Sequence, residues 1–374
     1  MATVYSHDTP RSEVRQYHGL RADCEPVGTE GHDLLGRSLS EIGNILEASG
    51  FKRVHAEAIW GAVQRNGITD IGQMGKVPGR IRAYLKESGY EICRAEVARE
   101  EVSRDGFTRK YLLCFNDGEA VETVLMRYKG RATACVSTQA GCAMGCVFCA
   151  TGQSGFRRHL SAAEILAQVH HVARILAGEG SRLRNLVLMG QGEPLNNYDA
   201  SIRSVETVIN SSGLALAADR VTLSTVGMVP AIRRLADERR RMSLAVSLHA
   251  ATDEERMALI PVARRWPLSD LMDACRYFTE KTGREVFFEW TLIAGCNDGV
   301  GAANKLGELL IGQSAHVNLI PLNPTAGYEG APSVLARARA FQAVLREHGV
   351  VSTVRQRRGI DIAAGCGQLA KKGR

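Results

Sequence analysis

The spacing of apolar positions changes near residue 129. Before it, helical patterning dominates. Ser38 and Glu41 form a capping box, with Ser38 as N-cap, that opens a helix ending near Gly50. "HAEAIWGAVQRNG" and "GRIRAYLKESG" predict two further short helices, each closed by glycine. Strand-like runs follow at about 90–97, 108–115 and 120–126. Beyond residue 129, the apolar runs "TACVST", "NLVLMG", "RVTLST", "MSLAVSLH", "EVFFEWTLI" and "HVNLIPL" alternate with helical segments. The clearest helix, 161–177, places Ile165, Val169, Val172 and Leu176 on one face behind a second capping box of Ser161 and Glu164. Six βα repeats with buried, β-branched strands imply a parallel sheet of the α/β class. Functional side chains are then expected at the carboxyl ends of the strands.

Four segments are expected: a loose extension at 1–37, where periodicity is absent; a helical accessory module with a β connector at 38–127; the α/β core at 128–361; and a C-terminal loop at 362–374. A chain of 374 residues, 45% hydrophobic and 23% charged, has the make-up of an ordinary soluble protein. It has no apolar run of about 18 residues and no apolar core near the N-terminus, so neither a membrane span nor a signal peptide is expected. A cytoplasmic location follows as the expectation. The net charge of +7 is concentrated. Residues 331–374 hold nine Lys or Arg against two acids, which accounts for all of it. A polyanionic partner such as nucleic acid and a merely solvated basic tail both fit that asymmetry.

Ten cysteines in a reducing compartment argue for metal binding or catalysis where they cluster. Cys24, Cys93, Cys114, Cys275 and Cys296 stand singly and read as packing residues. Cys142, Cys146 and Cys149 do not. They form a C-x3-C-x2-C run, "QAGCAMGCVFCATG", just past the first strand of the βα series. Soft thiolates select zinc or iron–sulfur clusters. A [4Fe–4S] cube on three cysteines leaves one iron open to a small molecule. Cys135, seven residues upstream, could instead complete a four-cysteine zinc site. It lies within a strand, however, and only Cys146 and Cys149 have knuckle spacing, so the open cluster is preferred.

"CAMGCVFC" resembles the signature of the radical S-adenosylmethionine (SAM) enzymes. The wider set "ATACVSTQAGCAMGCVFCATG", "MGQGEPL", "RVTLSTVGMVP", "LAVSLHA", "VNLIPLNP" and "GIDIAAGCGQLA" resembles the 23S rRNA (adenine-C2)-methyltransferases, in order, over about 38–370. Gln191 departs from the pattern, standing where Met is common. The resemblance implies a partial (βα)6 radical-SAM barrel with a small N-terminal helical domain. It also implies a [4Fe–4S] cluster on Cys142, Cys146 and Cys149, with SAM on the open iron and two SAM molecules used per turnover. In the scheme that the resemblance implies, Cys366 takes a methyl group from one SAM. A 5′-deoxyadenosyl radical from the other activates that methyl, which adds to C2 of adenine. Cys135 then attacks the Cys366 sulfur, leaving a disulfide. Glu122 matches the family's proton acceptor, although as an acid on a short strand it equally suits a solvated face. Gly192, Glu193, Ser224, Ser247, Leu248, His249 and Asn323 match SAM contacts.

The targets implied are adenosine 2503 of 23S rRNA and adenosine 37 of some tRNAs, with a reductase such as flavodoxin supplying electrons to a monomer. RNA is expected to be gripped by the helical module and the basic C-terminal segment. Arg355, Arg357 and Arg358 are expected to lower the Cys366 pKa. Three alternatives remain: C8 methylation of the same rRNA base, a non-catalytic zinc-containing RNA-binding protein, and a thiol–disulfide protein built on Cys135 and Cys366.

Overall fold

The computed structural model describes residues 32–370 and the strand β1 (Glu13–Gln16). The first capping box forms: Ser38 Oγ accepts the Glu41 N–H at 3.2 Å, and Glu41 Oε2 accepts the Ser38 N–H at 2.7 Å. It opens α1 (Leu39–Ala48), followed by α2 (His55–Gln64) and α3 (Gly79–Glu87). Ile42, Leu46, Ile59, Val63, Ile81 and Leu85 are buried and belong to the same core as the sheet beyond them. The strands β2 (Glu96–Val102), β3 (Thr108–Cys114) and β4 (Ala120–Tyr128) form an antiparallel meander.

Two expectations shift here. The strand anticipated at 90–97 begins at Glu96, and the preceding stretch contributes only an isolated bridge between Asp33 and Glu91. Charged Arg99, Glu100 and Glu101 hide the alternation of β2, which pairing with β3 enforces. Within the expected loose extension, β1 pairs antiparallel with β2, and Leu34 and Leu35 are buried. The rest of 1–31, Cys24 included, lies outside the described residues, as do Lys371, Lys372 and Arg374.

After β4 come β5 (Arg131–Cys135), the short hairpin of β6 (Gln139–Gly141) and β7 (Phe156–His159) with α4 (Ala150–Gln153) between them, and α5 (Ala162–Gly178). The alternation continues through β8 (Leu183–Leu188), α6 (Tyr198–Ile209), β9 (Val221–Thr225), α7 (Val229–Asp237) and β10 (Ser243–Ser247). It then runs through α8 (Asp253–Leu259), α9 (Leu268–Thr282), β11 (Val286–Leu292), α10 (Val300–Leu309), β12 (Ala315–Pro321), α11 (Leu335–Glu347) and β13 (Val351–Val354). One sheet runs β1-β2-β3-β4-β5-β8-β9-β10-β11-β12-β13, parallel from β5 onward. The six expected strands are all present. A seventh, β13, extends the sheet at its edge, where its half-exposed residues give no apolar run to read.

Leu186, Leu223, Val246, Phe288, Trp290 and Leu319 are buried, each such side chain stabilising by about 1.5–3 kcal/mol. Part of the basic C-terminal excess serves the fold itself. Arg337 pairs with Asp298 at 2.9 Å, and Arg358 stacks over Tyr128 at 4.5 Å. Among the described residues, no helix is long and apolar enough to cross a membrane.

Candidate active site

The cysteine run is shaped by glycine. Gly141 ends β6 with φ +77°, and Cys142 donates its N–H to Gly155 O at 2.9 Å. Val147 N–H reaches Leu259 O at 3.1 Å, Gln153 Nε2 reaches Val147 O at 2.7 Å, and Cys149 leads into α4 as its N-cap. Met144, Cys146 and Phe148 pack against Leu259, Ile260, Ala263, Ile293 and Leu322, so the thiols sit in an apolar shell. Burial pushes the Cys142 thiol up to about 12. It pushes Cys146 well above the usual range, reinforced by the nearby Cys149, Cys142 and Glu193. Cys142 and Cys146, whose thiols burial holds protonated, fit with Cys149 on the same short loop a cationic iron–sulfur group, which binds such sulfurs as thiolates. A single ion fits poorly. Among the described residues, no three His, Cys, Asp or Glu side chains gather round one position. Cys135 packs instead with Val124, Ile362, Ala364 and Leu369. The four-cysteine zinc alternative therefore finds no support in the geometry.

The SAM-matching residues sit at or just past the carboxyl ends of β8, β9, β10 and β12. Gly192 has φ +98°, and a Cβ there would lie 2.5 Å from Gln139 Cβ. Glu193 Oε1 accepts Leu195 N–H at 3.0 Å, and its Oε2 accepts Val226 N–H at 2.8 Å. Burial raises its carboxyl to about 7 despite those bonds. Arg256, buried, donates to the carbonyl of the same residue, Val226 O, and reaches Ser247 O at 3.3 Å. Ser224 lies on β9 opposite Ala245, and Ser247 lies on β10 opposite Glu289. Leu248 is fully buried and donates its N–H to Glu289 O at 3.1 Å, so its side chain serves packing. His249 is held at φ +59°, with Nδ1 accepting the Thr291 N–H at 2.9 Å and its ring edge-on to Phe148 at 4.9 Å. Burial, with Arg256 nearby, drops its pKa to about 3, leaving the ring neutral with its proton on Nε2.

Cys366 is carried by the C-terminal loop, which is fastened from several sides. Asn323 Nδ2 donates to Cys366 O at 3.0 Å, Ala150 N–H to Gly367 O at 2.7 Å, and Thr151 Oγ1 to Leu369 O at 2.5 Å. Gln368 Nε2 donates to Pro324 O at 2.8 Å, and Ala370 N–H to Glu122 Oε2 at 2.8 Å. Cys366 is exposed, yet protein crowds its thiol from several sides. Burial pushes its thiol up to about 12, with Cys135, Glu289 and Cys149 raising it further. Both Cys135 and Cys366 are free thiols here. The expected depression of Cys366 by arginine is overturned. Arg357 Nε turns to Asn323 Oδ1 at 3.3 Å, and Arg358 stacks on Tyr128 and Phe107. Glu122 is no surface acid either: it is buried and paired with Lys110 at 3.0 Å.

The radical SAM superfamily model matches residues 136–299. The dual-specificity RNA methyltransferase RlmN 1 of Myxococcus xanthus is 55% identical over 88% of this chain and 91% of its own length. The ribosomal RNA large subunit methyltransferase N of Nitrosopumilus maritimus is 42% identical over 90% of this chain and 98% of its own. The chain belongs to the dual-specificity RNA methyltransferases of the radical SAM superfamily. A crystal structure of a radical SAM methyltransferase from Sphaerobacter thermophilus superposes with a TM-score of 0.87 at 43% identity, covering 90% of this chain and 99% of that one.

Within this methyltransferase, several polar residues escape a reading of the sequence alone. Ser137 is a hub: its Oγ donates to Glu122 O at 2.8 Å and accepts the Gln191 N–H at 2.9 Å. Buried Gln168 clasps the Ser137 backbone, with Oε1 accepting its N–H at 2.8 Å and Nε2 donating to its carbonyl at 2.9 Å. Lys110, Arg256 and Glu289 are buried charges at the site. Only an inward-facing charge on an otherwise alternating strand could have flagged Lys110 or Glu289. A cavity of about 590 Å³ lies elsewhere, between α2, Lys76 and Ser212, and none of the site residues lines it.

Proposed function

We propose that this methyltransferase acts on C2 of adenosine in RNA, at adenosine 2503 of 23S rRNA and adenosine 37 of tRNA, through a methyl group carried on Cys366. The observation that carries the reading is the return of the distant C-terminal loop to the cysteine run and to β5 just before it. The Cys366 loop is bonded to α4, directly after the cysteine run, and packs against Cys135 on β5. When bound, a [4Fe–4S] cluster and SAM supply a hydrogen-abstracting radical, and a second SAM supplies the methyl group.

Cys142, Cys146 and Cys149 would hold the cluster, leaving one iron for SAM. Gly192, Glu193, Ser224, Ser247, His249, Asn323 and the Leu248 backbone would line the SAM site, Glu193 taking the amino group. Cys366 accepts the methyl as a thiolate. Its surroundings hold the thiol protonated, so that proton must be removed during the transfer. Glu122 takes the proton from C2 of the base, and the Cys135 thiolate attacks the Cys366 sulfur, forming a disulfide as the C–S bond breaks with its electron pair going to the carbon, which takes up a proton and leaves as the methyl group of the RNA. A base reached in this way must be unstacked from its neighbours. The enzyme is read as a cytoplasmic monomer served by a small electron donor such as flavodoxin. The close likeness to proteins named as dual-specificity RNA methyltransferases supports C2 over C8 of the same base.

The test incubates the reconstituted protein with SAM, a reductant and protein-free rRNA or tRNA, and reads 5′-deoxyadenosine and the methylated base by mass spectrometry. 2-Methyladenosine from wild type and none from Cys366→Ala is the expected result. Methylation only at C8, or wild-type product from Cys366→Ala, overturns the proposal.

A further inference from the structure

A buried ionic triad lies beneath the loop that carries Cys366. Lys110 Nζ on β3 sits 2.8 Å from Glu101 Oε2 on β2 and 3.0 Å from Glu122 Oε1 on β4. The Lys110 and Glu122 side chains are 4% and 2% exposed, so both charges have left water and depend on each other. Glu122 has no free oxygen: Oε1 meets Lys110, while Oε2 accepts the Ala370 N–H at 2.8 Å. Lys110 also reaches Ala363 O at 3.4 Å, at the other end of the loop. The Glu122 backbone is fixed as well, its N–H donating to Gln191 Oε1 at 3.3 Å and its carbonyl accepting from Ser137 Oγ at 2.8 Å. Cross-strand pairing of Val124 with Cys135 puts Glu122 one inward step beyond Cys135 toward the carboxyl end of β5.

We propose that Lys110 is a positioning residue: it keeps Glu122 charged and aims its second oxygen at Ala370, so that Glu122 latches the Cys366 loop until that oxygen is needed to take a proton. This rests on the reading of Glu122 as the proton acceptor. The geometry then makes two jobs compete for one atom. While Oε2 holds the Ala370 amide, it is unavailable to the base. Once Oε2 is protonated, it is a poorer acceptor for that amide, and the loop is released. Proton uptake and loop release are thereby coupled, with Lys110 setting the balance from Oε1. The charges facing Glu122 are Lys110 from β3 and Glu101 from β2; Gln191 and the Ala370 amide face it without charge.

The test uses the full chain with its cluster reconstituted. Hydrogen exchange of residues 362–370 is measured by mass spectrometry, and single-turnover methylation of rRNA is followed against pH, for wild type, K110M, K110R, E101Q and E122Q. K110M is expected to speed exchange in 362–370 by tenfold or more and to move the acidic limb of the pH profile upward. K110R restores both. E101Q, which leaves Lys110 to Glu122 alone, moves the limb downward and so provides a readout even if K110M fails to fold. A wild-type profile and wild-type exchange in K110M, or an unmoved limb in E101Q, overturns the inference. Undiminished methylation by E122Q instead overturns the underlying reading of Glu122, so the two failures are told apart.

Discussion

Gly141→Ala isolates the geometry that presents the cysteines. Gly141 has φ +77°, and a Cβ on it would lie 1.9 Å from Gly155 O, against an ordinary contact of at least 3.4 Å. The opposing backbone would have to retreat by about 1.5 Å. That oxygen accepts the Cys142 N–H at 2.9 Å, so the retreat also breaks the bond that fixes the first cysteine. The left-handed conformation costs about 1 kcal/mol for alanine. The lost hydrogen bond costs about 1 kcal/mol, and forcing the overlap about 1–3 kcal/mol more. Gly155→Ala is the matched control. Gly155 has φ +75°, yet nothing lies within 4 Å of the added carbon, so only the dihedral cost of about 1 kcal/mol applies. The difference, about 2–4 kcal/mol, falls on a hairpin of two short strands and is expected to appear as poorer cluster retention. It corresponds to about 30-fold to 1000-fold in an equilibrium constant. Iron and sulfide per chain are measured after anaerobic reconstitution, followed by the rate of iron loss to an excess of chelator. Gly155→Ala should behave like wild type, and Gly141→Ala should lose iron far faster. Equal retention by the two variants refutes the assignment of the hairpin as the scaffold of the cysteine run.

Two further outcomes are expected. His249 has its pKa lowered to about 3 by burial, so the neutral ring favours folding at and above the ordinary value of 6.5. That contribution drains as pH falls from 6.5 toward 3, by about 2 kcal/mol at pH 5. His249→Asn, which tolerates the left-handed backbone, should flatten the acid side of the stability–pH curve measured by urea titration of the cluster-free protein. An unchanged slope between pH 6.5 and 5 contradicts this. Asn323→Ala removes the donor to Cys366 O and should loosen the loop by about 1 kcal/mol. Iodoacetamide should then alkylate Cys366 several-fold faster, and Asn323→Asp, which sets an acceptor against the carbonyl, faster still. Equal rates in all three proteins count against the tether.

Much of the fold was legible because its signals are local. Ser38 with Glu41 and Ser161 with Glu164 each close both bonds of a capping box, and the six apolar runs are all parallel strands. What failed was non-local. β2 is a strand because β3 pairs with it, and its run of charges conceals the alternation. β13 is a strand because β12 offers an edge. The three clustered cysteines announced themselves through spacing, whereas Cys135 and Cys366 were tied together only by a family likeness. Their proximity depends on the C-terminal loop crossing back over β4 and β5, a path that no period or motif encodes.

The same reasoning explains why the arginines misled. Three arginines within four residues, close in sequence to Cys366, suggest a cation that would ionise the thiol. A guanidinium moves a thiol's pKa only as far as its distance and its screening by solvent allow, however. Arg358 faces two aromatic rings, and Arg357 faces the amide that holds the Cys366 carbonyl. Arg357 and Arg358 therefore fasten the loop, and the thiol is left protonated. A thiol held protonated is a weak nucleophile toward stray electrophiles. It acts only when something in the assembled site removes the proton. Such a loop suits the role proposed for Cys366, a thiol that carries a carbon unit through a reaction: it is firmly held in place and kept protonated until its substrates have assembled around it.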